Sequence, residues 1–171
     1  LGDPNFVNFD LDEILSDKNI EDILNKINLN SCCDVGDLNI PAHPETIYLT
    51  VVDKDLNSVS IINSVCYVFG SGITTNKSGI LLHNRGTNFR VEHGHPNCIE
   101  GLKRPLHTII PGMVIDKDNN ATLSYGVMGG QYQPVGQVHV LNNMIDYGMG
   151  PQEALSFPRA FHFNNIYKLE K

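Results

Sequence analysis

The stretch PETIYLTVVDKDLNSVSIINS, residues 44–64, governs how the rest of the chain is read. Two runs rich in β-branched residues, Thr46 to Asp53 and Ser58 to Asn63, flank Lys54-Asp55-Leu56-Asn57, a polar connection of hairpin length. A β-hairpin opening at Thr46 is therefore predicted. Just upstream, from Asn30 to Glu45, the composition turns to Asn, Ser, Cys, Asp, Gly and Pro without periodicity, as in a cleavable connector. A threonine at such a junction has a particular chemical option. Its hydroxyl alone is a weak nucleophile, but a cut before Thr46 would free an α-amine of pKa about 7.7–8 as its own base. Without that cut, Thr46 is an ordinary strand residue.

Before the connector, Leu11 to Asn28 carries apolar residues at Leu11, Ile14, Leu15, Ile23, Leu24 and Ile27, with Asn19 as a break or new cap. One broken helix or two short ones is expected. After the hairpin, strands are predicted at Gly79–His83, Thr108–Asp116 and Ala121–Val127. A helix follows from about Gly136 to Tyr147, ended by Gly148 and Gly150, and Pro151 starts a second. Strands followed by helices give an α+β class. Three regions follow: a helical segment over 1–29, the connector over 30–45 and an α+β domain over 46–171.

With 41% hydrophobic residues, 18% charged residues and a formal charge of −7, the 171-residue chain resembles neither a disordered segment nor a basic nucleic-acid binder. Nucleic acid is not an expected partner. No apolar run approaches the roughly 20 residues that span a bilayer, and Leu1 opens no signal-type segment. Cys32, Cys33, Cys66 and Cys98 lack metal-type spacing and read as free thiols. A cytoplasmic chain is favoured, with room for a targeting signal upstream of Leu1, since the sequence does not begin with Met. The sequons at Asn76 and Asn120 carry almost no weight.

The segments GSGITTNKSGILLHN, EGLKRPLHTIIPGMVIDKD, LSYGVMGGQYQP and NNMIDYGMGPQEALSFPRA follow Thr46 in the order and approximate spacing of the small subunit of gamma-glutamyltransferases. LGDPNFVNFDLDEILSD resembles the end of the large subunit, so the similarity covers nearly the whole chain. Asn84-Arg85-Gly86 places it nearest the gamma-glutamyltransferase-like branch that includes some cephalosporin acylases. The resemblance implies the four-layer αββα sandwich of N-terminal nucleophile hydrolases, of which this chain would be the C-terminal part. It also implies self-cleavage between Glu45 and Thr46, and transfer or hydrolysis of a γ-glutamyl or similar acyl group from glutathione-like amides. The implied partners are such a substrate and the large-subunit segment of the same precursor. No cofactor and no metal are implied.

Carried over residue by residue, Thr46 matches the nucleophile and Ser64 a threonine that hydrogen-bonds the new α-amine. Gly129 and Gly130 match the pair whose N–H groups receive the oxyanion. Thr50 matches a small hydroxyl residue of the nucleophile's strand. The departures fall in the substrate site. Where the family holds the glutamyl α-amine with a Glu and an Asp, this chain has Arg85 and Asn88. Cys66 replaces an asparagine, and His107-Thr108 replaces a serine pair that binds the substrate carboxylate. Arginine repels an ammonium and prefers a carboxylate, which suggests a glutaryl or cephalosporin-type acyl group. The alternatives are a γ-glutamyl group held in another way, a structural ion pair at Arg85, and an inactive partial homologue that serves only as a structural subunit. His93-Gly94-His95-Pro96 reads as a turn, Lys103-Arg104-Pro105 as loop, and Asp10, Asp12, Glu13 and Asp17 as a solvated helix start.

Overall fold

A computed structural model describes residues 2–31, 44–163 and 166–171. The chain forms two compact units, Leu1–Leu38 with Asn88–Leu106, and Asn39–Thr87 with His107–Lys171. Cys32, Cys33 and most of the predicted connector lie outside the described residues.

In the first unit, α1 (Leu11–Ile14) and α2 (Asp17–Leu24) are separate short helices. The break falls before Ser16 rather than at Asn19. Ser16 caps α2 by accepting the Asn19 N–H at 3.2 Å, while the Asn19 amide donates back to Ile14 O at 2.7 Å and closes α1. Neither helix buries a residue. Polar groups hold this unit together. The Asp3 side chain, 1% exposed, accepts from the Arg104 backbone N–H at 2.8 Å and from Nε and Nη2 at 3.1 and 2.8 Å. These bonds keep the Asp3 carboxyl far below the usual carboxylate range. Buried Asn97 donates to Asn88 O at 2.7 Å and accepts from Leu106 N–H at 3.0 Å.

The second unit contains β1 (Pro44–Val52), β2 (Ser58–Tyr67), β3 (Gly112–Ile115), β4 (Ala121–Tyr125), α3 (Tyr132–Ile145), α4 (Pro151–Ser156), β5 (Ala160–Phe163) and β6 (Ile166–Leu169). The strands form antiparallel pairs β1–β2, β3–β4 and β5–β6. The predicted hairpin is present, and β1 starts two residues before Thr46, so the Glu45–Thr46 peptide bond lies inside a strand. At its tip, Asp53 accepts from the Asp55 and Asn57 N–H groups, each at 2.9 Å, which lets Leu56 take φ +64°.

Three expectations change. The strand predicted at Gly79–His83 is a single bridge, Thr74 to Leu81. The strand predicted from Thr108 begins at Gly112, because the Thr108 and Ile110 carbonyls face glutamine amides of a helix instead of a neighbouring strand. Helix α3 starts at Tyr132, four residues earlier than expected, since Pro134 sits in the first turn, where its missing N–H costs no helical bond. The β5–β6 pair carried no clear sequence signal; Arg159 and Glu170 clasp it.

Candidate active site

The alternation of the first hairpin puts Thr46, Tyr48 and Thr50 on one face of β1, with Ser60, Ile62 and Ser64 beside them on β2. Between Glu45↔Cys66 and Ile47↔Asn63 the register slips, so Thr46 alone opposes Ser64 and Val65. This is a β-bulge, a device that re-aims side chains. Across it, the Thr46 hydroxyl donates to Ser64 Oγ at 3.2 Å, and Ser64 Oγ also accepts from the Cys66 N–H at 3.0 Å. Cys66 is buried and takes φ +81°, a sparsely populated conformation for a residue with a side chain. The bulge is thus pinned at its hydroxyl and at its backbone.

The segment carrying Arg85 is strapped to this bulge. Asn84 N–H donates to Val65 O at 3.2 Å, and Asn84 Oδ1 accepts from Tyr67 N–H at 3.1 Å. Arg85 then opens a single 3-10 turn, Arg85–Asn88, with its own N–H on His83 Nδ1 at 3.1 Å. Its side chain is half-buried, and among the described residues no carboxylate pairs with it. Asn88 belongs to the first unit, where its amide donates to Leu106 O at 2.9 Å.

The strand bearing Thr46 is also tied to β4. Tyr48 Oη hydrogen-bonds with Ser124 Oγ at 2.6 Å and with Ser60 Oγ at 3.2 Å, while the Thr50 hydroxyl donates to Ser124 Oγ at 3.0 Å. Ser60 donates in turn to Gly112 O at 2.9 Å. The Tyr48 ring lies where a Cβ on Gly126 would be. Beyond Gly126 the chain turns at Gly129 and Gly130, with φ +121° and +57°. Side-chain-bearing residues rarely adopt the first of these angles, so glycine is required there for backbone reasons. Both carbonyls point into the first turn of α3, accepting from Tyr132 and Gln133 N–H at 3.1 Å. Among the described residues neither glycine N–H donates to a backbone carbonyl. Two peptide donors at the start of a 14-residue helix suit an anion or an oxyanion.

Exposed His107 accepts from Ile109 N–H on Nδ1 at 3.3 Å, and half-buried Thr108 follows it. What the sequence did not reveal is how this segment is held. One end of the buried Gln133 amide, a residue 1% exposed, faces two carbonyls, Thr108 O at 2.6 Å and Val127 O at 3.2 Å; two acceptors at one end assign the NH2 group there, in the orientation in which it donates to both. One turn on, Gln137 donates to Ile110 O. The spacing of the two glutamines on one helix face was a readable signal for a buried polar stripe, as was the serine–tyrosine pattern of Tyr48 and Ser124 for a hydroxyl network.

A family model for gamma-glutamyltranspeptidase matches residues 1–171. The chain belongs to the gamma-glutamyltranspeptidase family. It is 38% identical over 164 residues to the glutathione hydrolase-like YwrD proenzyme of Bacillus subtilis, covering 93% of this chain and 30% of that protein. It is 31% identical over 157 residues to the oxamate amidohydrolase proenzyme of Klebsiella pneumoniae, covering 92% and 29%. The crystal structure of cephalosporin acylase from Bacillus halodurans superposes with a TM-score of 0.78 at 35% identity, over 96% of this chain and 29% of that one. The chain therefore spans about 30% of the length of these curated relatives. Its α+β fold is part of the N-terminal nucleophile hydrolase architecture shared with such gamma-glutamyltranspeptidases and acylases.

Proposed function

We propose that this chain carries the nucleophile of a self-processing amidase and acyltransferase of the gamma-glutamyltranspeptidase family. The observation that carries this reading is the Thr46–Ser64 hydrogen bond across the bulge, which orients one hydroxyl next to the Glu45–Thr46 bond. In processing, Thr46 Oγ attacks the Glu45 carbonyl carbon and the C–N bond breaks. Water then hydrolyses the resulting ester, leaving a Glu45 carboxylate and a free Thr46 α-amine. In turnover, the Thr46 hydroxyl attacks a substrate amide and its α-amine takes the proton and returns it to the leaving amine. The Gly129 and Gly130 N–H groups hold the oxyanion, each such donor contributing about 2.7–4 kcal/mol to transition-state stabilisation. Attack of water on the acyl-threonine gives hydrolysis, and attack of an amine gives transfer. Ser64 takes the hydrogen-bonding role toward the α-amine. The large-subunit portion of the precursor completes the site.

For the acyl group, γ-glutamyl from glutathione-like compounds is the family's substrate class. The glutaryl or cephalosporin-type reading draws on Arg85, a half-buried cation on the turn strapped to the bulge, with His107 and Thr108 as further carboxylate partners. The name of the oxamate amidohydrolase relative supports an acyl group that carries a carboxylate and no α-ammonium. The test uses the full precursor and a Thr46→Ala variant. Intact masses of two chains broken between Glu45 and Thr46 in the parent, and of one chain in the variant, are expected. An uncut parent would leave Thr46 without its base and favour an inactive homologue. Turnover of γ-glutamyl-p-nitroanilide against glutaryl-p-nitroanilide separates the substrates, and exclusive use of the former would remove the acylase reading.

A further inference from the structure

Gln133 joins two segments to which the sequence assigned different tasks. With its NH2 group assigned to the end that faces two carbonyls, its fully buried amide donates to Thr108 O, in the segment replacing the family's serine pair, and to Val127 O, two residues before Gly129. Gln137, four residues along the same helix, holds Ile110 O. Residues 108–110 are in no strand, so the Thr108 and Ile110 carbonyls, which these two side chains serve, have no ladder partner. Gln133 also donates its backbone N–H to Gly130 O. One residue thus touches the Thr108 segment, the strand exit and the glycine turn.

We propose that Gln133 is a positioning residue that fixes the distance between the Thr108 hydroxyl and the Gly129–Gly130 N–H pair. Substrate carboxylate and oxyanion would then be bound by groups referenced to one side chain. This rests on the assignment of Thr46 as nucleophile and of the glycine pair as oxyanion donors. Gln137 grips the same segment without touching the turn, so it serves as the internal control.

The experiment compares the full precursors of wild type, Gln133→Leu, Gln133→Glu and Gln137→Leu with γ-glutamyl- and glutaryl-p-nitroanilide. Wild type that neither cleaves nor turns over either compound counts against the proposed function, not against the role of Gln133. With an active wild type, Gln133→Leu is expected to lower kcat and raise KM together, with kcat/KM falling about 100-fold, as displacement by about 1 Å does. Gln137→Leu should move mainly KM. Equal effects in the two leucine variants, or a Gln133→Leu enzyme within twofold of wild type, overturn the proposal. Should Gln133→Leu precipitate, Gln133→Glu decides. A buried carboxyl donates only when protonated, and then to one carbonyl, so its kcat/KM relative to wild type should recover in part as pH falls through an ionisation absent from wild type. A pH profile parallel to wild type would overturn the proposal.

Discussion

The two faces of the β1–β2 hairpin are built to opposite specifications. On one, Thr46, Tyr48, Thr50, Ser60 and Ser64 are engaged with one another, with Ser124 and with Gly112 O. On the other, Ile47, Leu49, Val51, Val59 and Ile61 stand in paired rows, each between 45% and 60% exposed. An antiparallel pair in a two-layer domain ordinarily buries its apolar side and wets its polar one. Here the packed side is the hydroxyl side. Hydroxyl contacts are directional, so they hold Thr46 in one orientation, which apolar packing alone would not do. The bare rows are what a further layer of protein would cover, since contiguous exposed apolar surface marks an interaction site.

The sharpest way to break this contrast is Thr46→Ala on the polar face. It should abolish cleavage at Glu45–Thr46 completely while leaving the precursor folded, as intact mass and circular dichroism would show. Residual cleavage would assign the nucleophile to another hydroxyl of that face. The next largest effect belongs to the apolar face. In the full precursor, Leu49→Asp should cost roughly 3 kcal/mol or more in urea unfolding if the rest of the precursor buries it, because a charge would be trapped there. Val91→Asp, at a site 86% exposed in the first unit, should stay within about 0.5 kcal/mol. Equal costs would mean that the apolar rows remain bare in the whole protein.

How much of this was readable follows from the range of the forces involved. The hairpin was legible because alternation and a polar four-residue connection are local, and Pro151 and Gly150 marked α4 for the same reason. The motif order disclosed the family. The bulge opposite Thr46 was not legible, since it depends on a slip between strands whose residues individually suit a regular ladder. Residues 108–111 look like strand by composition, yet side chains 25 or more positions later claim the Thr108 and Ile110 carbonyls. The engagement of Asn88 with Leu106 O is non-local too.

A smaller effect sharpens the polar side. Tyr48→Phe keeps the ring against Gly126 but removes the hydroxyl that joins Ser60 and Ser124. Both serines keep another partner, Gly112 O for Ser60 and Thr50 for Ser124, so neither is orphaned. The expected loss is about 0.5–1.5 kcal/mol, the net value of an intramolecular hydrogen bond. Loss of self-cleavage with that small change in stability would show that the network orients Thr46 beyond merely gluing β1 to β4.

The smallest effect tests the tip that joins the two faces. Hydrogen bonds from the Asn57 side chain, and then from the Asn57 and Asp55 backbone, hold the Asp53 carboxyl below its usual range. Asp116 is lowered in the same way by Asn120 and Asp118 in the β3–β4 turn. A carboxylate whose folded pKa is depressed contributes stability above its unfolded value, about 3.9, and that contribution is lost as pH falls through the folded value. Asparagine mimics the protonated form. The Tm of wild type should therefore exceed that of an Asp53→Asn, Asp116→Asn double variant at pH 7, with the difference shrinking once pH drops below about 4 and vanishing beneath the folded pKa values. A difference that stays constant down to pH 2 would mean that the turns draw on the shape of the side chain alone. The hairpin tip would then be neutral toward acid, and any acid sensitivity of the chain's stability would have to arise at other carboxyls, the Asp3–Arg104 pair of the first unit among them.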